Sequence, residues 1–79
     1  MDMATDKVVD VYYDKQADVL YISVGEPVPS VSVEDDEVEG LHLRYSIDSE
    51  ELSGATIVWY SHQDKAQIRK RLPFEVCLP

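Results

Sequence analysis

The amino-acid sequence predicts an α+β fold dominated by β-structure: an antiparallel meander of about five strands plus one short C-terminal helix. Three observations carry that expectation. Apolar and polar residues alternate with period two through most of residues 8–60, as they do in half-buried strands. Short runs rich in Asp, Gly, Pro and Ser punctuate the alternation as turns would. Past residue 60 the pattern changes to a helix-entry signal with a basic final turn.

The elements follow in order. Residues 1–7 are polar and aperiodic and read as a frayed lead-in. Val8 to Tyr13 is β-branched and aromatic, with Val9, Val11 and Tyr13 sharing one face. Asp14 to Asp18 is a polar break, and Val19 to Val24 then sets Leu20, Ile22 and Val24 on one face and Val19, Tyr21 and Ser23 on the other. The two strands form a hairpin whose turn is fixed by Asp14 and Asp18, since Asp side chains accept from nearby backbone N–H groups.

Pro27 and Pro29 end the second strand because proline lacks a ladder donor. Val31 to Glu34 is a short third strand, and Glu34 to Glu39, broken only by Val38, reads as an exposed acidic loop. In Leu41 to Ile47, the residues Leu41, Leu43, Tyr45 and Ile47 are expected to face inward, with His42, Arg44 and Ser46 outward. Asp48 to Gly54 is a polar turn, and Ala55 to Tyr60 is a fifth strand apolar on both faces, which suits a central position.

Ser61 and Asp64 resemble a capping box, so a helix is expected from His62 to about Arg71, ended by Pro73. Arg69, Lys70 and Arg71 then suit the negative end of its dipole. In the last residues Phe74, Val76 and Leu78 alternate with Glu75 and Cys77, as in a sixth short strand or an extended arm. The chain is therefore read as one domain over residues 1–79, with a sheet to residue 60, a helix over 61–71 and an extended tail over 72–79.

Composition narrows the function. The 79 residues carry a net charge of −9, with −11 on residues 1–54 and +2 on residues 55–79. Such a surface repels phosphate, so nucleic acid and anionic membrane are not expected partners, whereas a basic protein would suit it. The N-terminal M-D-M-A-T-D-K lacks the basic and apolar parts of a signal peptide, and Cys77 is the sole thiol. A cytoplasmic protein in a reducing compartment is expected. A chain this short buries only about 60% of its unfolded surface, and oligomerisation is the stabiliser left once disulfides are excluded.

The string Y-D-x-x-A-D-x-L-Y-I, carried here by Tyr13, Asp14, Ala17, Asp18, Leu20, Tyr21 and Ile22, resembles the opening motif of the bacterial domain-of-unknown-function family 2283. The likeness extends over roughly residues 12–60, with Glu34 to Gly40 in place of the family's acidic middle and Gly54 to Val58 in place of its glycine-led late strand. Gln16 stands where the family more often has an acid, and Trp59-Tyr60 replaces its small or aliphatic ending. The resemblance implies a fold and no catalytic residues. Family genes often neighbour small toxin-like proteins, which implies an antitoxin-like role.

Chemistry-bearing residues are sparse. Asp14 and Asp18 could place two carboxylates at one turn for acid–base work or a hard metal, but fixing the turn is the commoner task of aspartate there. The run Glu34, Asp35, Asp36, Glu37 and Glu39 lacks the alternating layout and central glycine of a calcium loop. His42, His62 and Cys77 have no zinc-like spacing, and Cys77 reads as a small packing residue between apolar neighbours. No cofactor is expected. Tyr12, Val19, Tyr21, Val58 and Tyr60 lie opposite the face assigned to the core and are the candidate interface, covered either by the C-terminal helix and tail or by a second subunit. The leading expectation is a non-enzymatic, homo-oligomeric interaction module, most simply a dimer, with an antitoxin-like action on a basic protein as its sharper form. The alternative is a small-ligand or metal-assisted enzyme using Asp14, Asp18 and the acidic loop.

Overall fold

The computed structural model describes residues 9–79. The frayed lead-in assigned to residues 1–7 lies outside them. Five strands, β1 (Val9–Asp14), β2 (Val19–Val24), β3 (Ser30–Glu34), β4 (Leu41–Ser46) and β5 (Leu52–Val58), form one antiparallel sheet, followed by a single helical turn (Tyr60–His62) and the helix α1 (Lys65–Arg71). The β-dominant α+β architecture is as the alternation predicts. The spatial order is β1-β2-β5-β4-β3, so the hairpin β1-β2 and the three-strand meander β3-β4-β5 join through β2 and β5 at the middle.

The loop from Gly25 to Pro29 makes that order reachable. It must cross from β2 past β5 and β4 to the far edge, three strand spacings or about 14 Å. Six extended residue steps reach about 20 Å, and two prolines hold the segment extended. The Pro29 carbonyl accepts from Ile47 N at 3.1 Å, and the Ser30 and Ser53 hydroxyls meet at 2.6 Å, tying the crossing to the β4–β5 turn.

One face of the sheet carries the core. Leu20, Ile22, Leu41, Ala55 and Ile57 are fully buried there, joined by Val38 from the acidic loop, Tyr60, and Ile68 and Leu72 from the C-terminal segment. Phe74, Val76 and Leu78 pack against the same cluster, half-buried, while Glu75 and Cys77 point outward. The tail is thus an arm laid on its own core rather than a strand. Cys77 is exposed and is not the packing residue expected from its neighbours, because the alternation of the tail turns its thiol away.

Several boundaries move for identifiable reasons. β5 begins at Leu52, inside the stretch expected to be turn, since Ser46 Oγ accepts from Asp48 N and Ser49 N and closes the turn early. A register irregularity between Arg44 and Tyr45 breaks the alternation of β4, and Ile47, expected inside, is 58% exposed. The helix starts at Lys65 rather than His62. Asp64 is its N-cap, accepting from Ala66 N at 2.9 Å, while Ser61 bonds elsewhere.

Candidate interaction surface

The turn after β1 is held by the two aspartates, each in its own way. Asp14 Oδ1 accepts from Gln16 N at 3.1 Å and Ala17 N at 3.3 Å, closing the turn locally. Asp18 adopts a left-handed backbone (φ 59°), which Asp tolerates better than most residues, and its carboxylate reaches outward. Tyr13 Oη donates to it at 2.6 Å, Ser61 Oγ at 2.7 Å and Ser61 N at 2.9 Å, while its carbonyl accepts from Tyr60 N. The Tyr13 and Ser61 donors hold the Asp18 carboxyl below its ordinary range, and the same carboxylate holds the Tyr13 phenol above its own. The two carboxylates are therefore engaged in different networks, one closing the turn and one latching it to the helical turn that follows β5.

The acidic run is likewise structured. Asp35 Oδ2 accepts from Glu37 N and Val38 N, both at 2.9 Å, and the Asp35 carboxylate takes a bidentate contact from Arg71 at 3.0–3.1 Å. The Asp35 side chain is 5% exposed, and the guanidinium is the main cause of its lowered carboxyl pKa. Arg71 also lies 3.7 Å from Glu37. The basic last turn of α1 thus fastens the loop, a role the sequence did not announce. Among the described residues no group of three or more His, Cys, Asp or Glu is arranged to hold a metal.

The back face of the sheet, opposite the core, carries Tyr12, Tyr21, Val19 and Val58 as expected. Tyr12 and Tyr21 are cross-strand partners stacked with centroids 6.2 Å apart, and they are 65% and 40% exposed. Val19 and Val58 pair across β2 and β5 beside them, half-buried. Tyr60 is not part of this face. It is 4% exposed in the core, edge-on to Tyr13 at 5.3 Å, and its hydroxyl donates to the Pro79 oxygen at 2.6 Å. The cause lies one residue earlier: Trp59 takes a left-handed conformation (φ 54°, ψ 41°), which ends β5 and reverses the expected sides. Its indole is 56% exposed and Tyr60 turns inward.

Further along that face Arg44 lies over Gly54, its register partner on β5, and donates through Nη2 to the Ile22 carbonyl on β2 at 2.7 Å. A Cβ on Gly54 would run into the guanidinium and that carbonyl. Gly54 reads in the sequence as the end of a turn, so its place opposite Arg44 carries no local signal.

Beside Trp59 an open cleft of about 530 Å³ is lined by the indole, Glu37, Glu39, His62, Gln63 and Asp64 among others. Its wall is fixed by Gln63 Nε2, which donates to the Glu39 carbonyl at 2.8 Å and the Val58 carbonyl at 3.1 Å. Gly40, at φ +91°, lets the chain pass beneath: a Cβ there would sit 2.8 Å from Gln63 Nε2.

The fold and surfaces define a small acidic β-sheet domain with one face covered by its own C-terminal segment and the other open. No family model, curated protein or solved structure matches the chain. No helix among the described residues is long and apolar enough to cross a membrane.

Proposed function

We propose that the protein is a non-enzymatic interaction module that pairs with a second copy through the back face of its sheet and presents its acidic surface to a basic protein. The stacked and exposed Tyr12–Tyr21 pair, flanked by Val19 and Val58, carries the first half of this reading. The helix and tail, which could have covered that face, pack on the core side instead. Tyrosine contributes large apolar area at small entropic cost, and a core of nine buried apolar residues among those described leaves a small domain in need of further burial.

The charge of −11 over residues 1–54 supports the second half, as it favours encounter with basic surfaces. Assignment to family 2283 rests on the Tyr13–Ile22 motif, and with it comes the antitoxin-like role, whereas a cytoplasmic setting rests on Cys77 as the sole thiol. Catalysis at Asp14 and Asp18 is the weaker reading, because their acceptors already serve the turn and the latch.

Sedimentation equilibrium at micromolar concentration tests self-association. The chain is expected at twice its 9.0 kDa mass, and a Tyr12→Glu, Tyr21→Glu double variant at the single-chain mass with unchanged circular dichroism. A wild-type monomer under those conditions would overturn the dimer.

A further inference from the structure

We propose that the cleft beside Trp59 seats a lysine or arginine side chain of a basic protein partner, its cation held between the indole face and the carboxylates of Glu37 and Glu39. This rests on the basic-partner half of the reading above and not on self-association, since none of the four back-face residues lines the cleft.

Trp59 is the chain's one tryptophan, and it stands 56% exposed and lines a cleft rather than lying in the core. An exposed indole face attracts cations through its quadrupole, more strongly than tyrosine or phenylalanine. Glu37, Glu39, Asp64 and His62 line the same cleft. Asp64 caps α1 through Oδ1 and Glu37 lies 3.7 Å from Arg71, which leaves Glu39, among the described residues, as the lining carboxylate that neither contact engages.

Among the described residues, the chain's own nearby cations make no ion pair with Glu39. Lys65 places Nζ 5.9 Å from the centroid of the Tyr60 ring, and Arg71 is held by Asp35 in a bidentate pair with only a longer contact to Glu37. The walls do not depend on a visitor for their shape. Gln63 bridges the Glu39 and Val58 carbonyls over Gly40, and Arg71 anchors the acidic loop. A cleft built in advance, lined by one aromatic residue and by negative charge, matches a side-chain cation in chemistry. A flat apolar partner would gain little from these carboxylates, and an acidic one would be repelled.

The test uses the full chain and a hexalysine peptide at physiological ionic strength. Trp59 emission is expected to change saturably with hexalysine and not with hexaglutamine. By calorimetry, Trp59→Asn, whose new side chain tolerates the left-handed backbone, is expected to weaken hexalysine binding about fivefold. Glu39→Gln, which keeps the indole, should weaken it comparably, while Asp48→Asn, the same charge change in the β4–β5 turn, leaves it unaltered. Equal binding by Trp59→Asn and wild type would overturn the site, as would equal weakening by Asp48→Asn and Glu39→Gln. In either case peptide bound elsewhere would leave the basic-partner reading standing. A chain that takes no hexalysine at all would remove both.

Discussion

Ile68 is the one fully buried side chain of α1, and it fastens that helix to the sheet through contact with the core cluster. Its truncation tests whether the C-terminal segment is part of the cooperative fold. In Ile68→Ala the lost transfer free energy and the cavity left behind together cost about 2–5 kcal/mol. A site between a sheet and a seven-residue helix can partly collapse, so about 3 kcal/mol is the expected value. Total stability for a domain of this length is about 4–12 kcal/mol, so the variant sits near the edge of folding. At about 4–8 °C per kcal/mol, the melting midpoint falls by roughly 12–24 °C. Urea unfolding followed by far-ultraviolet circular dichroism measures the change, with the slope unaltered if only stability is affected. Gln67→Ala, one residue away and exposed, should stay within about 0.5 kcal/mol. If Ile68→Ala costs no more than Gln67→Ala, the helix is not docked on the sheet and the account of the core is wrong.

Gly40→Ala meets both an unfavourable φ of +91° and the Gln63 amide, and a loss of about 1–3 kcal/mol is expected in the same unfolding assay. Asp35 has its carboxyl pKa lowered by Arg71, so its contribution is present above the ordinary carboxylate value of 3.8 and is lost as pH falls through the lower folded value. Acid titration of Asp35→Asn should show a shallower loss of stability below that pH than wild type; a parallel curve would count against the ion pair. Tyr13 is raised above 10.0 by Asp18, so the stability from this contact holds below pH 10 and fades as pH climbs through the raised value. Ultraviolet titration should find a late-ionising phenol that Asp18→Asn brings back towards the ordinary range.

The strands were legible because alternation records which side of a sheet a residue occupies, and Leu20, Ile22, Leu41 and Ile57 are where their periodicity puts them. Alternation does not record which strand lies alongside, so the meeting of β2 with β5 is visible only in the structure. Trp59 and Tyr60 exchanged sides for a related reason. Nothing local favours a left-handed tryptophan; the bonds from Tyr60 N and Ser61 to Asp18 accompany it, and they come from the far side of the sequence. The helix start was misplaced because Ser61 and Asp64 both suit a cap, and Asp18 claims Ser61. Of the candidate interface, four residues were legible as a face and the fifth was lost to that same reversal.

The seam between β2 and β5 has a consequence for how the protein is assembled in time. The hairpin of residues 9–24 and the meander of residues 30–58 each close over short loops and can form early, whereas their union waits on a search across a longer stretch of chain. The latch from Asp18 to Ser61 spans 43 residues and straddles that same seam. Severing the backbone in the Gly25–Pro29 crossing would therefore yield two pieces that divide one core between them, and their ladders are expected to form together through β2 and β5 when the pieces are mixed. The molecule is in effect two fragments carried on one thread, and the thread sets their effective concentration.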